Sequence, residues 1–238
     1  MLAIPGIIAL VVLIYARPQE VFERLRAVPL LYVCFGLAAF GGLLDLRIGN
    51  ARLRAPPQLW WVALFFVWAS FTVLVRAPSA AFDHILGLAV CVALFLSIGH
   101  GVQSFRALGL VAGAVLAMVL FVCGVGVHQG FAATGCVLVD GSNPADTATG
   151  RPDGRSCVTP RNCYVGDAEP GADYVCEHIG LLGTTSVGRG RIRYRGVLQD
   201  PNELALAGGV GLPLAFAFAQ VKKRSPGRTL LGLSLIHI

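Results

Sequence analysis

Charge is scarce in this chain. Only 13% of its 238 residues are Asp, Glu, Lys or Arg, and 55% are hydrophobic, whereas a soluble domain carries about 25% charged residues. The deficit excludes an ordinary soluble globular domain. It falls on five apolar blocks in the first half, residues 2–16, 29–46, 58–75, 85–98 and 108–128, and on two near the end, 204–221 and 229–238. Strict apolar/polar alternation is also lacking. A transmembrane barrel requires it, and the run 59–75, from Leu59-Trp60-Trp61 onward, has none. Backbone polar groups in lipid must pair within their own segment, so the blocks read as membrane-crossing helices. Crossing takes about 20 mainly apolar residues, and the first, fourth and last blocks are short.

Other absences narrow the reading further. No Lys or Arg precedes the first block and no small-residue cleavage site follows it, which excludes a cleaved signal peptide. The block is expected to be a retained first helix, and its shortness predicts a start further upstream. Basic residues do not interleave with aromatics and no nucleic-acid motif is present, so the net charge of +6 is read as a topology signal, with no nucleic-acid partner.

Lys and Arg in the short loops set orientation. Arg47, Arg52, Arg54, Arg106, Lys222, Lys223, Arg224 and Arg228 fall on one side, and Arg17, Arg24, Arg26 and Arg76 on the other. The side with eight is expected to be cytoplasmic. The N-terminus is then inside and the long segment 129–200 outside. Trp60 and Trp61 stand at one end of the third block, as interfacial anchors do. Asp45 is expected to pair with Arg47 at an inner helix end. Gly36, Gly41, Gly42, Gly208, Gly209 and Gly211 are expected to permit close helix packing.

The outer segment is rich in Gly, Asp, Pro, Thr and Ser. It holds four of the seven cysteines, Cys136, Cys157, Cys163 and Cys176; Cys34, Cys91 and Cys123 lie in apolar blocks. An even count on the oxidising side predicts two disulfides, with three pairings open. A zinc site using these cysteines and His178 has no common ligand spacing, so no metal and no cofactor is expected. The fold expected from the residues is an all-α polytopic helix bundle, six helices plus a truncated seventh, with one large disulfide-rich outer loop. Its divisions are 1–128, 129–200 and 201–238.

Four arginines, Arg189, Arg191, Arg193 and Arg195, precede the sixth block. Asp200 is a good N-cap, Pro201 suits the first helical position and Glu203 completes a capping box. A dipole-positive helix start beside arginines suits a diphosphate, or equally lipid headgroups. The pattern Arg193-x-x-Gly196-x-x-x-Asp200-Pro201-Asn202-x-x-Ala205 resembles the segment that opens the shared domain of the O-antigen ligase and O-antigen polymerase superfamily. About a dozen residues carry the likeness, together with the five helices before them. Arg17-Pro18 after the first helix is similar to some members.

The resemblance implies a transferase. Members move a glycan from a polyprenyl-diphosphate donor to lipid A-core or to a growing glycan, without a metal, at the outer face of the bacterial inner membrane. It implies donor binding by Arg193, with Asn202 on the helix start; Arg195 is adjacent but does not match by position. The family's proposed base is a histidine in a later outer loop. His178 is the one outer-loop histidine of this chain and is given no catalytic role. The ten-residue last block spans about 15 Å against a core of roughly 30 Å, which predicts an incomplete chain lacking that loop. Two other functions fit helix count alone: a transporter of the inorganic-carbon type found in the same superfamily, and a non-catalytic protein whose disulfide cap binds a partner.

Overall fold

The computed structural model describes residues 2–52, 57–139, 151–166, 168–188, 190–194, 198 and 200–220. Its helices are α1 (Ala3–Ala16), α2 (Pro18–Val21), α3 (Glu23–Arg26), α4 (Leu30–Arg47), α5 (Gln58–Arg76), α6 (Ala81–Gly101), α7 (Phe105–Phe131) and α8 (Pro201–Gln220). Among the described residues five helices are long and apolar enough to cross a membrane: α4, α5, α6 with the short 3-10 turn before it, α7 and α8. α1 has 14 residues, about 21 Å of helix. The seventh block lies outside the described residues. The expectation of six crossings plus a truncated seventh therefore stands at five such helices and one short one.

The fourth block, read from its apolar run as 85–98, is a helix of 21 residues. Polar side chains extend it without a cost in unpaired groups. Ser97 Oγ donates to the Ala93 carbonyl at 2.8 Å, and His100 Nδ1 lies 2.9 Å from the Leu96 carbonyl oxygen. Both reuse a carbonyl one helical turn back. α5 buries none of its residues. Its Trp60 and Trp61 are 80% and 73% exposed, a surface that suits lipid and not water.

The chain divides into two compact units. The first comprises Met1–Val11 and Pro29–Ala112. Ala3, Ile7, Leu10 and Ala38 form its buried core. Glycines let α1 and α4 meet: a Cβ on Gly6 would stand 2.5 Å from the Ala38 nitrogen, and one on Gly41 would strike the Leu2 backbone, whereas Gly36 and Gly42 face open space. Asp45, expected beside Arg47, is buried, and its carboxylate accepts the Leu2 and Ala3 amide protons at 2.6 and 3.1 Å, capping the start of α1.

The second unit comprises Val12–Val28 and Gly113–Ile238. Within it the later part of α7 runs antiparallel to α8. Gly113 faces Phe218, Val119 faces Gly211, Cys123 faces Gly208 and Gly126 faces Leu204. A Cβ on Gly211 would meet Val119 Cγ1 at 2.6 Å, so this glycine sets the approach of the two helices. Arg17 sits in the left-handed region (φ 46) and pairs with Glu20 at 2.6 Å as the chain turns from α1 into α2.

The described residues between α7 and α8 are more ordered than their turn-rich composition suggests. They are not purely loop: β1 (Thr134–Val139), β2 (Arg151–Ser156) and β3 (Asp173–His178) form an antiparallel sheet in the order β2-β1-β3. The fold is thus mainly helical with a small sheet. Cys136 and Cys176 stand opposite each other across β1 and β3, yet each bonds elsewhere: Cys136 to Cys163 and Cys157 to Cys176. Tyr174 packs against this sulfur core. Tyr164 meets the Tyr174 ring edge-on at 5.7 Å, and Arg155 lies over Tyr174 while pairing with Asp153 at 2.5 Å. Burial alone would raise the Asp153 pKa, but the Arg155 hydrogen bonds outweigh it and hold the carboxyl below its usual value.

Candidate functional site

The segment between β3 and α8 folds back twice on itself. Ile179 pairs with Thr185, and Val187 with Arg191. Gly188 (φ +55) and Gly190 (φ +96) make the second reversal, in backbone conformations that side-chain-bearing residues rarely adopt. The second hairpin leaves Arg191 exposed and places Ile192 and Tyr194 against the α7 and α8 core. Tyr194 is buried, and its hydroxyl donates to the Ala16 carbonyl at 2.8 Å.

Arg193 points into a polar cluster. It is 3% exposed, in company with the buried residues Gln129, Glu177, Thr184, Thr185 and Ser186. Its Nε donates to the Thr185 carbonyl at 2.7 Å, its Nη2 to Thr185 Oγ1 at 2.9 Å, and its amide to Gln129 Oε1 at 2.9 Å. Burial lowers its pKa, and the nearby Glu177 carboxylate partly opposes that. An arginine stays charged through such a shift. Glu177 in turn accepts the Ser186 hydroxyl proton, and Ser186 Oγ accepts the His178 amide proton at 2.9 Å. His178 uses Nδ1 toward the Ala132 carbonyl, which ties the residue after α7 to the end of β3.

A cavity of about 600 Å³ opens beside this hairpin. Cys123, Ile192, Pro201, Leu204, Ala205, Gly208, Gly209 and Leu212 give it a mainly apolar wall, and Arg191 and Gly190 stand at one end. Its size lies within the range of small-molecule pockets. Among the described residues no carboxylate pairs with Arg191. At the start of α8, Asp200 Oδ1 accepts the Asn202 amide proton at 2.8 Å, the expected cap. Asn202 and Glu203 are exposed in the first turn, and Pro201 lines the cavity.

Of the residues singled out in the sequence, Pro201 joins the cavity wall, Asp200 and Asn202 lie next to it along the chain, and Arg193 lies in the buried cluster. Arg195 and Gly196 lie outside the described residues. Gln129, Glu177, Thr185 and Cys123 are not marked as site residues by the sequence, and Arg191 is marked only as one of four alternating arginines. The four cysteines lie in the separate sheet core. Sγ atoms of Cys136, Cys157 and Cys163 lie within 4.8 Å of one another, but all three are in disulfides, so they offer no thiolates to a metal.

These features define a class, that of helical proteins with several helices long and apolar enough to cross a membrane, with a disulfide-bonded sheet between α7 and α8. No protein-family model matches the chain, and neither does any curated protein or solved structure.

Proposed function

We propose that this chain handles a polyprenyl-diphosphate-linked glycan as part of a membrane glycan ligase or polymerase, at the outer face of a bacterial inner membrane. The N-terminus is then cytoplasmic, in keeping with the eight-to-four bias of Lys and Arg in the short loops. An outer location also suits the two disulfides, which persist in oxidising compartments.

One observation carries the reading. The apolar cavity runs along a helix fit to cross a membrane and has at one end an arginine, Arg191, with no ion-pair partner among the described residues. That combination matches a lipid with a phosphate head. The helix start beside it adds the positive end of a dipole. The Arg193-x-x-Gly196…Asp200-Pro201-Asn202 resemblance supplies the reaction class: transfer of the glycan to a hydroxyl on a second glycan or on lipid A-core. As the glycosidic bond to the diphosphate breaks, negative charge grows on the leaving phosphate, and fixed cations and dipoles stabilise it. The acceptor hydroxyl needs a base, and no residue of this chain is assigned that role.

The test is binding of a polyprenyl-diphosphate glycan to proteoliposomes that contain the chain. Saturable binding above protein-free vesicles, competed by free polyprenyl diphosphate, is expected. No saturable binding, or binding that free polyprenyl diphosphate does not compete, would refute the reading.

A further inference from the structure

We propose that Arg191, and not the motif residue Arg193, is the side chain that contacts the phosphate of a lipid seated along α8, and that Arg193 is a positioning residue. The inference rests on the lipid-handling function proposed above and assigns the roles within that site.

Arg193 is badly placed to be a ligand. It is 3% exposed, two of its guanidinium nitrogens donate to Thr185, and the Glu177 carboxylate lies close enough to act on its charge. A phosphate would have to break that set and open a buried cluster. Removing one partner of such a cluster strands the others without water. What Arg193 does accomplish is mechanical. Its side chain holds the strand at Thr185, and its amide holds Gln129 at the end of α7. The hairpin carrying Arg191 lies between Thr185 and Arg193 in sequence, so the Arg193–Thr185 bonds close its base.

Arg191 has the opposite setting. It is exposed, stands at the end of the cavity and has no ion-pair partner among the described residues. It is also held. Its backbone pairs with Val187 in both directions, at 2.9 and 3.0 Å. Its guanidinium lies over Gly188, where a Cβ would stand 3.0 Å from Nη2 and 3.5 Å from Nε. Gly188 therefore leaves the space that the guanidinium occupies. A planar fork fixed at the end of an apolar groove can meet a phosphate with two parallel hydrogen bonds, while Ile192, Leu204 and Leu212 cover the hydrocarbon. Polyprenyl diphosphate and an anionic phospholipid share this chemistry.

The full chain in neutral nanodiscs is titrated with polyprenyl diphosphate and, separately, with phosphatidylglycerol. Arg191→Ala is expected to weaken binding about tenfold or more, the loss usual for a hydrogen bond to a charged group. Its thermal midpoint should stay at the wild-type value. Arg191→Lys keeps the charge and recovers part of the affinity. Arg193→Lys, chosen because Arg193→Ala can fail to fold, should lower the thermal midpoint and weaken binding less than Arg191→Ala. The double variant Arg191→Ala/Arg193→Lys should bind no worse than Arg191→Ala alone, since Arg193 acts through Arg191. Wild-type affinity in Arg191→Ala overturns the proposal. So does an additive loss in the double variant at an unchanged midpoint, which would make Arg193 the ligand. If phosphatidylglycerol binds as tightly as polyprenyl diphosphate and both depend on Arg191, the assignment of Arg191 stands and the donor-handling function falls. If the wild-type chain binds neither lipid, both fall.

Discussion

Deleting one disulfide at a time tests the β2-β1-β3 sheet most sharply. Cys136–Cys163 closes a separation of 27 residues and Cys157–Cys176 one of 19. In the chain-entropy account each closure is worth roughly 3 kcal/mol. The loops interlace, because Cys157 lies inside the first and Cys163 inside the second. Closing one shortens the free chain in the other, so the two contributions add to less than their sum. Burial separates them as well: Cys136 and Cys163 are fully buried, whereas Cys176 is partly exposed. Cys136→Ser/Cys163→Ser leaves two hydroxyls in an apolar core and should cost more than Cys157→Ser/Cys176→Ser. Amide hydrogen exchange in β1 and β3 reads the effect. Loss of about 3 kcal/mol raises the exchange of the slowest amides roughly a hundredfold. Peptide mapping without reduction should find only the two linkages named. A Cys136–Cys157 or Cys136–Cys176 linkage, or β1 and β3 amides that exchange at the wild-type rate without a bridge, would refute the reasoning.

Four further expectations can be tested alongside it. Gly211→Leu should destabilise the α7–α8 pair by about 1–3 kcal/mol through overpacking against Val119, measured by unfolding in mixed micelles. Gly209→Leu, which meets nothing within 4 Å but lines the cavity, should leave stability intact while blocking lipid binding. The depressed pKa of Asp153 makes its contribution complete above about pH 4, its ordinary unfolded value, and lost as pH falls through the lower folded value. Acid melting curves of the three-stranded sheet should therefore flatten in Asp153→Asn, and an unaltered pH dependence would remove the Arg155 pairing as the cause. Reporter fusions after Gly150 should read as outside and after Arg224 as cytoplasmic, and either result reversed would invert the topology.

The long apolar helices were largely legible because an apolar run of sufficient length has one stable backbone solution in lipid. Their ends were less so. α6 continues three residues past Ile98 because Ser97 and His100 satisfy themselves on the helix, a detail hydropathy misses. The sheet was passed over because Gly-rich, Asp-rich turns dominate residues 129–200. The short apolar runs at Tyr174–Cys176 and Cys136–Val139, rich in β-branched and aromatic residues, carry a strand signal. The helix start at Asp200 was legible from local chemistry alone. The burial of Arg193 was not, since it arises from Thr185, Glu177 and Gln129, up to 64 residues away. Spacing identified an arginine beside a helix start; only the tertiary fold separates the exposed arginine from the buried one.

The most direct measurement of the central claim is photolabelling in native membranes with a polyprenyl-diphosphate glycan that carries a diazirine in its first isoprenyl units. Label is expected on peptides spanning 190–192 and 201–212, suppressed by excess unlabelled polyprenyl diphosphate, little affected by phosphatidylglycerol, and reduced in Gly209→Leu. Label spread evenly over the exposed faces of α4, α5 and α6, or equal competition by both lipids, would contradict a donor site on α8.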